Sequence, residues 1–116
     1  MNVLKQIDEL LKKGYPLQGI GINNWAFSKK DAMEILNRFE ELKVSVLGGD
    51  VCELTNNIVQ PNYDNWYCNR LSNETDIEFL KRSIKRAKDY ITNYNVSDPS
   101  QIFFAFVLDK PGSEMQ

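Results

Sequence analysis

Histidine is absent from the 116-residue sequence, and cysteine occurs only twice, as Cys52 and Cys68. Histidine is the commonest general base near neutral pH and a frequent zinc ligand, so any such chemistry would fall to other side chains. The two cysteines lack C-x-x-C spacing and have no histidine partner. We expect them to be free thiols packed as small apolar residues, with a disulfide between them as the less favoured alternative.

Long apolar runs and a strong charge imbalance are also absent. No stretch approaches the ~20 apolar residues of a membrane-spanning helix, and residues 1–14 carry frequent charges instead of the apolar core of a signal peptide. Fourteen basic and sixteen acidic side chains give a net charge of −2. A general nucleic-acid binder would carry a clustered basic excess. We therefore expect a cytoplasmic protein that binds neither nucleic acid nor membrane.

The length and composition are those of one globular domain spanning residues 1–116. Hydrophobic residues make up 42% and charged residues 26%, which is an ordinary globular balance. The sequence has no internal repeat or linker, and residues 110–116 form a polar tail. Helical and strand patterns both occur, with the strands clustered in the middle. This order predicts a single α+β domain, with three helices packed on an antiparallel or mixed sheet of about four to five strands.

Helical periodicity defines the first two helices. Residues 2–13 place their apolar side chains on one face, and Gly14 and Pro16 mark the end of that helix. Ser28 is a typical N-cap residue for a second helix that runs to about Leu42. The third helix begins after a cap at Ser72 or Asn73, and its apolar stripe consists of Ile77, Leu80, Ile84, Ala87, Ile91 and Tyr94.

Strand-forming residues occupy several short segments. Asn56-Asn57 is a turn signal, because asparagine tolerates positive φ, so the segments around it predict a hairpin or a three-stranded meander. Pro61 removes a ladder donor and indicates an edge or a bulge. The apolar run at 102–108 indicates a central strand covered on both faces. The strand segments are 44–47, 51–55, 58–68 and 102–108, with 17–23 as a short edge strand or an extended connection.

The segment Gly48-Gly49-Asp50 resembles a ligand loop at first sight. A phosphate loop needs a glycine-rich turn that opens directly into a helix, whereas strand formers follow here. We therefore expect the glycines to shape a bulge or bend in the sheet. Carboxylates at Asp50, Glu53 and Asp64 leave open an alternative, a metal-dependent enzyme that uses Mg²⁺ or Mn²⁺. Solvated or hydrogen-bonded acids are the more ordinary interpretation.

The third helix and the aromatic segments offer two further candidate surfaces. Basic side chains opposite the apolar stripe are typical of a solvated helix face, or of an adaptor that holds an acidic partner. Tyr63, Trp66 and Trp25 lie beside acids and amides, which suits either a protein-binding surface or the edge of a core. Strand alternation puts Tyr63 and Trp66 on opposite faces. The basic residues of the helix are Lys81, Arg82, Lys85, Arg86 and Lys88.

Three segments together resemble a known family. They are "GINNWAFSKKDAMEIL" (21–36), "VLGGDVCEL" (46–54) and "YDNWYCN" (63–69). In this order they resemble the G-x-N-x-W-A, L-G-G-D-V and Y-D-x-W-Y segments of the immunity protein 40 family, small α+β proteins of bacterial polymorphic toxin systems. Cys52 departs from the pattern, where an aromatic residue is more usual.

The resemblance implies an immunity protein rather than an enzyme. Such a protein would bind and neutralise a cognate toxin, encoded by the neighbouring gene, without catalysis and without a cofactor. The matching positions that the resemblance marks are Trp25, Asp50, Asp64 and Trp66. Combined with the hairpin side chains, they give the expected toxin-binding set of Trp25, Asp50, Glu53, Tyr63, Asp64 and Trp66.

Overall fold

The computed structural model describes residues 2–95 and 98–110, which form an α+β fold as predicted. All neighbouring strands of its five-stranded sheet are antiparallel, in the order β1-β2-β5-β3-β4. The helices are α1 (Val3–Leu11), α2 (Lys29–Glu41) and α3 (Asp76–Asn93). The strands are β1 (Tyr15–Pro16), β2 (Trp25–Ser28), β3 (Ser45–Thr55), β4 (Ile58–Tyr67) and β5 (Ile102–Asp109).

The helices cover one face of the sheet, which we call the helix face. Burial of apolar side chains between the helices and this face is the main source of stability. The core includes Ile7, Leu11, Leu36, Phe39, Val46, Val51, Trp66, Ile84, Ile91, Phe104 and Phe106. The opposite face, the open face, carries only a small apolar cluster, formed mainly by Leu17, Ala26, Cys52, Val59 and Ala105.

A buried hydroxyl connects α3 to the sheet. The Ser83 hydroxyl accepts a hydrogen bond from the Val46 backbone N–H at 3.0 Å and donates to the Leu80 carbonyl at 3.0 Å. The strand register shifts directly after Val46, where β3 has one residue more than β5. Ser83 therefore satisfies a backbone donor at a bulge that would otherwise be buried without a partner.

Helix caps agree with the sequence in one case and differ in another. Ser28 caps α2, and its hydroxyl accepts a hydrogen bond from the Asp31 backbone N–H at 3.2 Å, as predicted. The prediction that Ser72 or Asn73 caps the third helix was wrong. Thr75 is the N-cap there, because it forms a reciprocal capping box with Glu78.

Segments 44–47 and 51–55, predicted as separate strands, form the single strand β3. The three-stranded meander was therefore wrong, and the hairpin interpretation was right. Asn56 and Asn57 form its two-residue turn with φ values of 53° and 66°, as predicted for asparagine at positive φ. The predicted edge strand at 17–23 was also wrong, because Gln18–Ile20 is a 3₁₀ turn.

Strands β1 and β2 were not predicted at all. β2 pairs with the central strand β5, and β1 adds two residues at the edge. Immediately before β2, the Asn24 side-chain amide donates a hydrogen bond to the Phe106 carbonyl of β5 at 3.0 Å. This side chain takes the place of the strand backbone as the partner of that carbonyl. β5 is central as predicted, although its open face is only partly covered, since Val107 is 47% exposed.

Of the predicted polar tail at 110–116, only Lys110 is among the described residues. Both cysteines are buried and free, as expected. Among residues 2–95 and 98–110, no helix combines the length and the apolar character that a membrane crossing requires.

Candidate protein-binding surface

The hairpin of β3 and β4 divides the expected site residues between the two faces of the sheet. Asp50 pairs with Asn65 on β4 and with Ala105 on β5, and Ala105 belongs to the open-face cluster. Directly paired residues of an antiparallel sheet share a face. Asp50 is exposed. Its carboxylate therefore faces solvent on the side of the sheet opposite α1, α2 and α3.

Apolar side chains lie beside Asp50 on this face. Gly48 pairs with Tyr67 on one side and with Val107 on the other, which puts those two side chains in the next row of the open face. Tyr67 is 69% exposed and Leu47, in the neighbouring bulge, is 37% exposed. We call this group, which consists of Leu47, Asp50, Asn65, Tyr67 and Val107, the open-face patch. Exposed aromatic and aliphatic groups around a carboxylate are typical of protein-binding surfaces.

A bulge in the edge strand β4 separates Tyr63 from this patch. Between the pairs Asp50–Asn65 and Cys52–Pro61, one residue of β3 faces three residues of β4. Tyr63 is the middle one, with φ of 75° and a side chain that is 89% exposed. Because the bulge takes Tyr63 out of the ladder, Tyr63 has no paired residue on β3, unlike Asn65 and Tyr67. The indication of an edge or bulge at Pro61 was right.

Hydrogen bonds hold the bulge against the C-terminal end of α3. The Tyr94 hydroxyl donates to the Asp64 carboxylate at 2.5 Å. The Asn62 side-chain amide donates to the Tyr94 hydroxyl at 2.9 Å and to the Glu53 carboxylate at 3.1 Å. Glu53 pairs with the core residue Ile102 and thus belongs to the helix face. The three acids of the expected set are therefore not one cluster, since Asp50 lies on the opposite face.

The pKa of Tyr94 is raised to about 12, mainly by burial and secondly by the hydrogen bond to Asp64. Tyrosine in an unfolded chain titrates near pH ~10. Because the folded state holds the proton more tightly, this contribution to stability is complete below pH ~10 and is lost as the pH rises through the folded pKa. We expect the stability advantage of wild type over Tyr94→Phe to shrink between these values. Thermal unfolding of both proteins from pH 8 to 12 measures this difference in stability. Tyr67→Phe, which removes the hydroxyl of an exposed tyrosine, is the control.

Trp66 is a core residue, only 3% exposed. Its ring stacks on Tyr90 with centroids 4.8 Å apart and meets the edge of Phe106 at 6.1 Å. Within the described part of the chain, its buried indole N–H has no hydrogen-bond partner. Trp25 is half-buried against the same core. Of the two roles considered for the tryptophans, support of the hairpin is the one that fits these positions.

Close packing of Trp66 explains the two glycines. An added Cβ at Gly49 would lie 2.2 Å from the Trp66 ring, and one at Gly48 would lie 2.4 Å from the Trp66 carbonyl oxygen. The φ angle is not left-handed at either position, so the glycines serve close approach and not a turn. The expected bulge is present beside them, between Val46 and Gly48 relative to β5.

The carboxylate-based metal alternative needs Asp50, Glu53 and Asp64 in one place. The structure separates Asp50 from the other two, and among the described residues no three Asp, Glu, Cys or His side chains form a group that could hold a metal ion. The pKa of the Cys52 thiol is raised to about 11, mainly by burial and secondly by the negative charge of Asp50. This thiol is therefore protonated at neutral pH and a poor nucleophile.

The basic face of α3 is largely engaged within the protein. Arg82 donates to both oxygens of Glu74, at 2.6 and 2.8 Å, and to the Asn69 carbonyl at 2.6 Å. The hydrogen bonds from Arg82, followed by the one from the Leu71 backbone N–H, lower the pKa of Glu74 to about 2. Lys85 pairs with Asp89 at 2.7 Å and Lys88 donates to Asn37 at 2.6 Å. The helix thus resembles a solvated, locally paired face more than a docking site for an acidic partner.

Charge is distributed unevenly between the hairpin and the rest of the chain. Residues 44–69 contain Asp50, Glu53 and Asp64 and no lysine or arginine. The remaining sequence has thirteen acids and fourteen basic residues, so the hairpin carries a charge of −3 and the rest of the chain +1. An acidic hairpin on a nearly neutral protein attracts a partner with a basic surface to this region.

Sequence reasoning missed several members of this region. Asn62 and Tyr94 hold the bulge, and Val107 and Leu47 complete the open-face patch. Their roles depend on strand register and on the position of α3 beside β4, which are non-local. One local signal did exist: Pro61 interrupts the ladder immediately before Asn62, and an interrupted edge strand is where bulges are found.

Comparison with known proteins gives one match. A family model described as Immunity protein 40 matches residues 16–108, which is most of the chain and includes the whole sheet apart from Tyr15 and Asp109. No curated protein and no solved structure matches the chain significantly.

Proposed function

Because the chain belongs to the immunity protein 40 family, we propose that it binds a cognate bacterial toxin and neutralises it by direct contact, without catalysis. The family match over residues 16–108 is the observation that carries this proposal. The partner is a toxin of a polymorphic toxin system, encoded by the neighbouring gene, and the complex protects the cytoplasm of the producing cell. No cofactor takes part.

The hairpin is the surface that we assign to the toxin. The open-face patch combines exposed apolar side chains with the carboxylate of Asp50, and Tyr63 projects from the adjoining edge. A stable protein complex buries about 800 Å² on each partner, and we expect a contact of this size here. Its excess of acid over base favours a toxin whose contact surface is basic. Glu53 and Asp64 contribute to that field from the helix face.

Co-expression with the protein encoded by the neighbouring open reading frame tests the proposal. We expect the chain to relieve the toxicity of that protein and to co-purify with it. A catalytically inactivated toxin then allows the affinity to be measured in solution. Failure both to relieve toxicity and to co-purify would refute the proposed function, whichever residues form the contact.

Asp50→Asn separates a role in binding from one in folding. Asp50 is exposed, so we expect the free energy of unfolding to change by less than about 0.5 kcal/mol. Affinity for the toxin should fall roughly tenfold, mainly through slower association that also becomes less sensitive to salt. Glu9→Gln on α1 is the control, because it changes the net charge equally at an exposed site away from the hairpin. Loss of stability alone would assign Asp50 to the fold.

A further inference from the structure

The backbone of Tyr63 is unusual for the residue that occupies it. A φ of 75° lies in the left-handed region, which disfavours side chains other than glycine, asparagine and aspartate. The same hairpin uses asparagine at the two positive-φ positions of its turn, Asn56 and Asn57. At the bulge it has a large aromatic side chain instead, and that side chain is 89% exposed. The fold therefore gains almost no burial from the ring that it holds in this conformation.

The residues on both sides of Tyr63 are held in place. Asn62 is fixed by its amide hydrogen bonds to Glu53 and Tyr94, and Asp64 by the hydroxyl of Tyr94. The Asp64 backbone N–H also donates to the Asn62 side-chain oxygen at 3.0 Å, which closes the bulge on itself. A disfavoured backbone conformation persists when its surroundings determine it in this way, and such positions concentrate at functional sites.

Protection of the sheet edge is the ordinary explanation for a bulge in β4. Bulges on edge strands prevent pairing with other chains. That function needs the extra residues but not an aromatic ring, and asparagine or glycine would adopt the same φ with less strain. The exposed ring thus needs a separate explanation.

We propose that Tyr63 is a pre-positioned anchor for the toxin, inserted into a pocket on a basic region of the toxin surface, and that Tyr94 is the residue that positions it. This inference rests on the proposed function. Tyrosine is enriched among residues that dominate binding energy, because its ring buries a large area and has few rotamers to restrict. Fixing the bulge in the free protein lowers the ordering cost of binding. The neighbouring carboxylates of Asp64 and Asp50 complement basic groups around the pocket.

Binding of the full chain to the inactivated toxin from the neighbouring gene tests the anchor. We expect Tyr63→Ala to weaken the affinity about 30-fold or more, and Tyr63→Phe, which keeps the ring, by less than about 5-fold. Tyr63→Gly should weaken binding as much as Tyr63→Ala. Since glycine accepts the positive φ, its thermal midpoint should be at least as high as that of Tyr63→Ala. Lost binding in a protein of unimpaired stability cannot be attributed to misfolding.

The positioning role of Tyr94 has its own readout. Tyr94→Phe removes its hydrogen bonds to Asn62 and Asp64, and should weaken toxin binding about 5-fold. When Tyr63 is already alanine, the same change should have almost no further effect, because there is no ring left to position. An effect of equal size on affinity in both backgrounds would show that Tyr94 does not act through Tyr63.

Tyr15→Ala is the matched control, since Tyr15 is 44% exposed on β1 at the opposite edge of the sheet. It should leave the toxin affinity within about 2-fold. If wild type binds and Tyr63→Ala binds equally well, the anchor is refuted while the proposed function stands, and the bulge serves edge protection. If wild type neither binds the toxin nor relieves toxicity, the proposed function fails and the anchor fails with it.

Discussion

Gly49→Ala is expected to lower the free energy of unfolding by about 3 kcal/mol, the upper part of the usual range for overpacking a core. The new methyl group would lie 2.2 Å from Cη2 of Trp66 and 2.5 Å from the carbonyl oxygen of Ala105. Neither neighbour can yield easily, because the indole ring is wedged between Tyr90 and Phe106 and the carbonyl belongs to the central strand. Chemical denaturation of both proteins measures the difference.

Gly19→Ala is the control for this effect. A Cβ at Gly19 meets nothing within 4 Å, and the backbone there is not in the left-handed region. We expect its stability to stay within about 0.5 kcal/mol of wild type. Trp66→Phe removes the part of the indole that Gly49→Ala would strike, so the two substitutions should cost less together than the sum of their separate costs. Equal destabilisation by the two alanine variants would contradict the close-packing explanation.

Trp66→Ala is the second large effect, with an expected loss of about 4 kcal/mol. The substitution removes a ring that stacks on Tyr90 from α3 and meets Phe106 from β5, so it opens a cavity where hairpin, helix and central strand converge. Thermal and chemical unfolding both report it. A loss of this size is a large fraction of the roughly 5–15 kcal/mol that native proteins ordinarily have.

Trp66→Phe should cost much less than Trp66→Ala. The smaller ring keeps part of the aromatic packing, and the change deletes a buried N–H that has no partner among the described residues, which offsets some of the lost contact. Tyr67→Ala, at an exposed neighbouring position, should have only a small effect on stability. If Trp66→Phe lost toxin affinity without losing stability, Trp66 would be a contact residue and not a support.

The helices could be predicted because their signals are local. The apolar stripe and the Ser28 cap each lie within a few turns of one segment, and both were found, although Ile77 of the predicted α3 stripe is 47% exposed. The start of α3 was misplaced because Ser72, Asn73 and Thr75 can all act as caps. The deciding feature was Glu78, three residues after Thr75, which completes the reciprocal hydrogen bonds. A search for the S/T-x-x-E pattern would have identified it.

The sheet was only partly predictable, because pairing over long distances determines much of it. β1 and β2 are two and four residues long, and they are strands only because β5 gives β2 a partner about 77 positions later. The Asn56-Asn57 hairpin, by contrast, is local and was found. Chain segments this short have too little periodicity to indicate a strand by themselves.

The candidate site shows the same division. Asp50, Tyr63 and Asp64 lie on the β3–β4 hairpin, where strand patterns had put them, but the sequence did not show which residues the bulge would add. The bulge adds two residues to β4 opposite Val51, which keeps the alternation of faces but takes Tyr63 out of the regular ladder. The amino-acid types do not indicate how many extra residues a bulge contains. The contribution of Tyr94 from another element was likewise outside local reasoning.

The position of β5 has a consequence for synthesis of the protein on the ribosome. β5 is the central strand, yet it follows every other strand in the sequence, and β2 and β3 each hydrogen-bond to it and not to one another. A nascent chain that ends before Ile102 can form only two separate hairpins, one from β1 and β2 and one from β3 and β4. Native pairing of the five strands must therefore wait until the whole of β5, as far as Asp109, has been synthesised.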